Sequence, residues 1–427
     1  MKAPLPTNKE TVLTHENQDI MLFKKRIKNL SNTLLALVFS NVLYQPVLAR
    51  DFMDERVEFS GFARIVAGYL DEEAASFEGY DDNISLSEQS LLGLQADIHL
   101  TDTLTVATQL LAHSSEERKS GIEWLYLNYE PDQYWRIKAG KLRTPFLQYS
   151  DVLDVGFAYS WISPPQQLYS SYLFSNFDGL SVTHRNTFAD LNIDIEAYWG
   201  TYDDSVFVGG DEVNIEVDEI LGLIFQVQHD NLQVRAAYAE SNEFFADFLG
   251  LEDLAVVLER AGFQQSADSL RFDGSANSYQ VGVRYDDLDY FASAEWFRIE
   301  ADLLVVPSVD GYYLTAGINL LPFQLHLTYA SAAPEYAVSQ NEIPRGIAPQ
   351  LDQLALGYDQ VIDSLPSDSL DSYTLGARWN MRANLAFKVE FTRLVGDRDA
   401  RSFFDVADNA QFDRRANLYQ VAVEWVF

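Results

Sequence analysis

The feature that most constrains this fold is a repeated unit of alternating apolar and polar residues, running from about residue 57 to the C-terminus. Each unit has an alternating run of about ten residues, a very short polar turn, a second run and a longer polar loop. Alternation with a period of two places successive side chains on opposite faces of a strand. Short turns that alternate with long loops are typical of transmembrane β-barrels, whose periplasmic turns are short and extracellular loops long.

About sixteen such runs can be counted, an even number as expected for a bacterial barrel. Ten of them form five hairpins, and six are separate: the hairpins lie at 91–113, 220–240, 278–300, 313–331 and 372–395, and the other runs at 57–70, 121–130, 134–143, 179–188, 190–201 and 414–427. A soluble β-sandwich also alternates, but sixteen strands would make an unusually large one. We therefore predict an all-β fold, a transmembrane antiparallel up-and-down β-barrel.

Composition excludes several other classes. A helical membrane protein needs several runs of about 20 apolar residues, and the only comparable stretch lies near the N-terminus. The 64 Asp and Glu residues exceed the 30 Lys and Arg residues. Because phosphate contacts need clustered basic residues, this balance argues against a nucleic-acid partner. The chain has no cysteine, which excludes thiol chemistry and cysteine-based zinc sites, and we expect neither a metal nor a cofactor.

The N-terminal segment has the pattern of a secretory signal peptide. Four basic residues at 24–28 precede an apolar stretch, and Val47-Leu48-Ala49 forms a small-residue cleavage site. The apolar stretch is too short to cross a bilayer as an anchor helix. We predict cleavage after Ala49, with residues 1–49 as an extension plus signal peptide and 50–427 as the barrel; either Met1 or Met21 is the start.

The last strand, NLYQVAVEWVF, ends in Phe427 and carries aromatic residues on one face, among them Tyr419 and Trp425. In this strand and in its architecture the chain resembles the Gram-negative outer-membrane porin superfamily. The resemblance implies a 16-stranded barrel in the outer membrane that passes small hydrophilic solutes, is usually a homotrimer and has its third loop folded inward. It also implies that Tyr419, Trp425 and Phe427 are the signal read by the barrel-assembly machinery, and that the surrounding partners are lipid and lipopolysaccharide.

The third loop, residues 144–178, is long, aromatic and poor in charge, whereas the first loop is strongly acidic. A loop that faces water should be polar, so this one needs cover for its apolar surface. We expect it to fold into the lumen as a constriction. The alternative is a lid, or a contact loop between subunits, on the outside of the barrel.

Several charged residues are candidates for the pore. Arg64, Arg136, Lys138 and Arg185 are predicted to face inward, and the third loop and its end contribute Asp151, Asp154 and Asp178. One hypothesis is that Arg136, Lys138 and Arg185 oppose the three aspartates across the pore and create a transverse field. The alternative is that lumen charges pair across neighbouring strands as structural ion pairs.

The outer loops are rich in acids, which should concentrate cations at the mouth, so we expect weak cation preference. These acids lie in three loops: the first (Asp71, Glu72, Glu73, Glu78, Asp81, Asp82, Glu88), the fourth (Asp203, Asp204, Asp211, Glu212, Glu216, Asp218, Glu219) and the eighth (Asp397, Asp399, Asp405, Asp408). The alternative is that these acids serve solubility and divalent-cation bridging to lipopolysaccharide, and both explanations can hold together. In the fifth loop, residues 244–263 have apolar residues at helical spacing, which predicts a short amphipathic helix.

The expected function is passive diffusion of small hydrophilic solutes and ions, without catalysis. Neither a Gly-x-Ser-x-Gly elbow nor an HExxH motif occurs, and the segment SNFDG at 175–179 has no histidine two residues before its serine. Two alternatives remain open. One is a substrate-specific channel in which Arg136 to Arg185 grip phosphate or carboxylate solutes, and the other is a plugged structural or adhesive barrel.

Overall fold

The structure is a computed structural model that describes residues 56–115, 118–170, 174–208, 211–246, 251–271, 273–301, 307–335, 341–364, 369–397, 403–406 and 411–427. The chain divides into two compact units, Met1–Val57 and Glu58–Phe427. The first unit lies almost wholly outside the described residues, as do the expected signal peptide and its cleavage site at Ala49. Those expectations stay predictions.

The described elements are mainly strands. They are β1 (Val57–Leu70), β2 (Ala75–Ser76), β3 (Leu91–Thr101), β4 (Leu104–His113), β5 (Gly121–Tyr129), β6 (Trp135–Arg143), β7 (Asn176–Phe188), β8 (Leu191–Val208), β9 (Asp211–His229), β10 (Leu232–Ala246), β11 (Asp273–Asp286), β12 (Tyr290–Ala301), β13 (Ser308–Leu320), β14 (Phe323–Glu335), β15 (Leu370–Arg382), β16 (Leu385–Gly396), β17 (Asp405–Val406) and β18 (Arg415–Val426). The α-helices are α1 (Gln166–Tyr169), α2 (Leu251–Arg260), α3 (Gln264–Asp268) and α4 (Pro349–Ser364). Among the described residues, no helix is long and apolar enough to cross a membrane.

Sixteen of these strands form one closed antiparallel barrel, and the short β2 and β17 pair separately in the loops. Each strand pairs with its neighbour in sequence, and β18 closes the ring on β1 through a register from Phe62↔Val426 to Leu70↔Leu418. Gly61 and Phe427 exchange two backbone hydrogen bonds of 2.9 Å at this seam. The predicted fold is therefore confirmed. We call the end with the short turns and Phe427 the turn end, and the end with the long loops the loop end.

Alternation decides which face of each strand is outside. In β18, Tyr419 and Val421 are 46 % and 41 % exposed, whereas Gln420 and Glu424 are 6 % and 1 % exposed. The apolar residues form the outer belt and the polar residues face the lumen, as expected for strands whose outer face meets hydrocarbon. Tyrosines pack together at the loop end of this belt, where the ring centroids of Tyr329 and Tyr373 are 5.0 Å apart.

The fourth loop differs from its prediction because all seven of its acids lie on strands. β8 and β9 extend to Val208 and Asp211, beyond the outer belt, with Asp203 paired to Glu216. The inner face of the extension is apolar, and its side chains are buried against the helices of the fifth and seventh loops. This cluster includes Tyr202, Val213, Ile215, Val217, Phe244, Ala255, Leu258, Ala355 and Tyr358. Of the helix expected at 244–263, the structure has α2 at Leu251–Arg260, whereas Phe244 belongs to β10.

The assignment of faces gives a first prediction, from two adjacent residues of β3. Leu94 is 46 % exposed on the outer face, and Gln95 faces the lumen. We expect Leu94→Arg to lower the free energy of unfolding in lipid vesicles by about 2–4 kcal/mol, because an arginine facing hydrocarbon is poorly solvated. Gln95→Arg should lower the free energy of unfolding much less, because the new arginine side chain faces the lumen and stays in water. Urea unfolding of both variants checks this, and equal losses would contradict the assigned faces.

Candidate functional site

The third loop lies inside the barrel and covers one side of the lumen wall. Its Trp161 is 2 % exposed, donates a 2.8 Å hydrogen bond from Nε1 to Oγ1 of Thr328, and packs edge-on against Tyr313 at 5.5 Å. Phe146 packs against Phe297 of β12 in the same way. Burial of each such aromatic side chain stabilises by about 1.5–3 kcal/mol. The loop aromatics thus find their cover on β12, β13 and β14.

The loop backbone between residues 156 and 162 is held by three cations of the wall, which we call the carbonyl clamp: Arg64, Arg378 and Lys388. Lys388 Nζ donates to the carbonyl oxygens of Gly156, at 2.8 Å, and Trp161. Arg378 Nη1 donates to the carbonyls of Phe157 and Tyr159, both at 2.9 Å. Arg64 Nη1 reaches the carbonyl of Ile162 at 3.4 Å. An irregular backbone buried in a lumen needs such partners, because unpaired carbonyls are costly.

Two carboxylates balance the clamp. Glu424 Oε2 lies 2.7 Å from Lys388 Nζ, and both side chains are fully buried. Glu390 Oε1 accepts a 2.7 Å hydrogen bond from the backbone N–H of Ile162. Breaking a buried ion pair by removing one partner typically costs about 3–5 kcal/mol. The clamp is therefore a matched set in which each charge depends on its neighbours.

The two ends of the loop are held on the wall as well. Arg235 Nη1 donates to the carbonyl of Phe146 at 2.9 Å, and its other terminal nitrogen donates to the carbonyl of Pro145. Glu295 accepts from the Gln148 N–H at 2.7 Å and from the Tyr169 hydroxyl at 2.8 Å. Contacts therefore extend from β10 through β18 to β1, and the loop is seated on that half of the wall.

On the other side, the loop contacts the wall through a buried triad. Arg143 Nη1 lies 2.5 Å from Glu123 Oε1 and 2.8 Å from Asp154 Oδ2. Burial alone would raise the pKa of the Asp154 carboxyl, but Arg143, with Arg118 and His113 nearby, outweighs burial and holds that pKa well below its usual range. Asp154 therefore stays ionised and anchors the start of the loop to β6.

A cavity of about 410 Å³ opens beside this triad, between the second loop, the third loop and β8. Its charged lining is mixed, with the cations Arg118, Lys119, Lys141 and Arg143 and the carboxylates Glu123, Asp154 and Asp204. Lys119 Nζ lies 2.8 Å from Asp204 Oδ1. The cavity thus joins polar surfaces of both signs at the loop end, on the side of the lumen away from the carbonyl clamp.

Nearer the turn end, the wall from β3 to β8 carries more carboxylates than cations. The carboxylates are Asp97, Glu130, Asp194 and Glu196, and the cations are Arg136, Lys138 and Arg185. Arg136 pairs with Glu130, and Arg185 Nε lies 4.0 Å from Asp194 Oδ2. Asp97 and Glu196 instead accept hydrogen bonds from Gln95 and Ser181. The balance of charge on this open wall is negative.

The structure does not bring the hypothesised rows of opposed charges together, and Arg136 and Arg185 form local ion pairs as in the alternative hypothesis. Arg136 lies eight residues before Thr144, or about 26 Å along the strand at about 3.3 Å per residue, near the turn end with Arg185. Lys138 lies over the ring of Tyr126, 5.4 Å from its centroid. The three cations therefore pair locally instead of facing the loop.

The three aspartates also separate. Asp154 pairs with Arg143, Asp151 is exposed on a single 3-10 turn, and Asp178 lies in β7 on the outer face with Leu180. Arg64 does contact the loop, as part of the carbonyl clamp. Lys388 and Arg143 were not among the predicted site residues, although Lys388 shares its strand face with Glu390. Tyr419 and Phe427 face outward, and their role in assembly stays a prediction.

Neither a protein-family model nor a curated protein matches the chain. Solved structures do. The outer-membrane channel DcaP of Acinetobacter baumannii is 13 % identical over 87 % of this chain and 97 % of its own, with a TM-score of 0.53. An anion-selective porin from Comamonas acidovorans is 13 % identical over 87 % and 99 %, with a TM-score of 0.52. The trimer form of the outer-membrane protein OmpT of Vibrio cholerae is 12 % identical over 87 % and 99 %, with a TM-score of 0.50. At this identity, these matches establish the fold alone.

The triad gives a prediction for Asp154→Asn. A carboxyl with a lowered native pKa stabilises the fold above its ordinary pKa of 3.8, and this stabilisation is lost as pH falls through the native value. We expect the substitution to lower the free energy of unfolding at pH 7 by about 1–3 kcal/mol, because Arg143 loses a charged partner.

Urea unfolding at pH 7 and at several values below pH 4 checks this. The difference in the free energy of unfolding between the variant and the parent protein should be largest at pH 7 and shrink as the pH falls below about 4. A pH-independent difference would show that the Asp154 charge does not hold the loop. Asp151→Asn is the matched control, because Asp151 is exposed and forms no ion pair among the described residues.

Proposed function

We propose that this chain, with its closed sixteen-stranded porin-like barrel, is an outer-membrane channel for passive diffusion of small hydrophilic solutes and ions. One observation carries the proposal: the third loop is seated on the β10–β18 half of the wall and β1, while a polar cavity lies on the opposite side. A loop that narrows a polar lumen from one side restricts passage by size. We propose a channel and no catalytic activity.

The charge of the open wall supports weak cation preference. Asp97 and Glu196 have no cation paired with them among the described residues, whereas Arg136 and Arg185 each have a carboxylate partner. The charges that line the cavity nearly balance, so they add little selectivity. Carboxylates along a narrow aqueous path raise the local concentration of cations.

The remaining partners are part of the same proposal. Export through a signal peptide, insertion by the barrel-assembly machinery and a surround of lipid and lipopolysaccharide follow from an outer-membrane location. The trimer form of the Vibrio cholerae protein supports a homotrimer. The aromatic outer face of β18, which includes Tyr419 and Phe427, is the surface offered to the assembly machinery.

A second candidate is a substrate-specific channel for small anions. Its support is the cavity, where four cations and three carboxylates line a space large enough for a small solute. A saturating conductance that phosphate or a carboxylate blocks would favour this candidate over general diffusion. The contacts of the third loop on both sides of the lumen would suit a plugged barrel, which predicts no conductance at all.

The proposal is tested by single-channel recording of the refolded barrel in planar bilayers with a salt gradient. We expect small, non-saturating conductance and a reversal potential of cation-selective sign. In the Asp97→Asn, Glu196→Gln double variant the reversal potential should move toward zero, because two carboxylates of the open wall are lost. The control is Glu300→Gln, whose side chain faces outward beside Arg298. Anion-selective sign in the parent protein would refute the proposed cation preference.

The role of the loop as a constriction is tested at the carbonyl clamp. Lys388→Met with Glu424→Gln removes the buried ion pair without leaving a lone charge. If the seated loop limits the pore, conductance should rise and become noisier, because residues 156–162 lose a main anchor. The matched control is Arg298→Gln with Glu300→Gln, which removes an exposed ion pair on the outer face. Unchanged conductance in a folded clamp variant would mean that the loop does not set the pore size.

A further inference from the structure

The outer face of the barrel at the loop end is mainly acidic. Its carboxylates on or directly beside strands are Asp71, Asp178, Glu219, Glu240, Glu300, Asp310 and Asp371. Among the described strands, the cations at this level and on this face include Lys141, which is paired with Asp178 and lies 4.0 Å from Asp204 Oδ2, and three arginines: Arg298, Arg393 and Arg415. The chain has a net charge of −34 and carboxylates predominate on this face, so the few cations there are candidates for a specific role.

The three arginines are not equivalent. Arg298 is neutralised, since its Nε lies 2.6 Å from Glu300 Oε1 and its Nη1 lies 3.1 Å from Asp310 Oδ2. Arg393 and Arg415 form no ion pair with any described residue. Arg393 donates one hydrogen bond, of 3.0 Å, to Asn417 Oδ1. A guanidinium has five N–H donors, so most of the Arg393 donors remain available to a ligand.

Strand register places the two arginines at a defined depth. Arg393 is paired with Tyr373 on one side and Asn417 on the other, and Val395 with Arg415. Phe391 and Tyr419, two residues nearer the turn end on the same face, pack together at 5.3 Å. Two residues of strand rise about 7 Å. The arginines therefore lie directly above an aromatic layer of the kind that marks the boundary between hydrocarbon and headgroups.

The start of β18 is also fixed in space. Arg414 has a φ of 61°, in the left-handed region, and its carbonyl accepts a 2.7 Å hydrogen bond from the Gly396 N–H. Asp413 Oδ1 accepts from the Arg415 N–H at 3.2 Å. A non-glycine residue in this region is held there by its surroundings. Arg415 thus begins the strand at a set position rather than on an unrestrained loop.

We propose that Arg393 and Arg415 bind phosphate groups of the glycolipid in the outer leaflet of the outer membrane. The guanidinium fork matches phosphate geometry and forms strong charge-assisted hydrogen bonds, and basic sites at this depth recognise anionic headgroups. Asp71 and Asp371 flank the pair but already accept hydrogen bonds from Asn417 and Tyr329. Because these carboxylates reduce the net charge of the patch, binding depends on direct arginine contacts rather than long-range attraction. The proposal rests on the proposed membrane location, not on channel activity.

The test compares lipopolysaccharide binding to the detergent-solubilised, folded chain and to two variants, by native mass spectrometry. The double variant Arg393→Gln, Arg415→Gln should bind at least about tenfold more weakly, since each tenfold corresponds to about 1.4 kcal/mol and charged hydrogen bonds exceed that. Arg298→Gln is the matched control and should bind within about twofold of the parent protein. Lipopolysaccharide stripped of its phosphates should bind the parent and the double variant equally.

Two outcomes would overturn the site. One is equal binding of intact lipopolysaccharide by the parent protein and a folded double variant, and the other is full binding of dephosphorylated lipid by the parent protein. Loss of oligomers in the double variant, with lipid binding unchanged, would make this face a contact between copies of the chain. Single-channel conductance should be the same in all three proteins, so a failed lipid site and a failed channel proposal are told apart.

Discussion

The rest of the structure depends on the requirement that every backbone amide inside a membrane find a partner. The strands meet it by closing into a ring, and the last pairing, between β1 and β18, is completed by the reciprocal hydrogen bonds of Gly61 and Phe427. The third loop cannot meet it by pairing as a strand. Buried cations donate hydrogen bonds to its carbonyls instead. An irregular segment in the lumen therefore requires the carbonyl clamp.

The clamp also makes the lumen asymmetric. The cations and aromatics that seat the loop belong to β10–β18 and β1, while the wall from β3 to β8 keeps its own polar side chains. The extended β8 and β9, together with α2 and α4, build an apolar cluster above the barrel. The space inside the barrel is therefore one-sided, bounded by the seated loop and by the open wall.

Strand positions and faces were predictable from the sequence, because alternation is local: Gln420 and Glu424 face inward simply because Tyr419 and Val421 face out. The wall residues that contact the third loop were not predictable from the sequence, because they are distant along the chain. Lys388 lies 232 residues after Gly156, whose carbonyl it contacts. Choosing among inward cations requires the three-dimensional path of the loop. The extension of β9 left a readable signal, with Val213, Ile215 and Val217 alternating with polar residues. The many acidic residues of this extension led to its prediction as a loop, because acidic residues are common in segments outside a membrane.

The carbonyl clamp binds main-chain carbonyl oxygens, which every type of amino-acid residue supplies. Recognition of residues 156–162 therefore places few demands on the identity of several side chains. Ala158 is exposed, and Ser160 is only half-buried. Gly156 is different, because a Cβ there would lie 2.3 Å from Glu424 Oε1. Side chains at such positions can therefore change in evolution and alter the exposed surface of the loop, while the carbonyl contacts that anchor it stay the same.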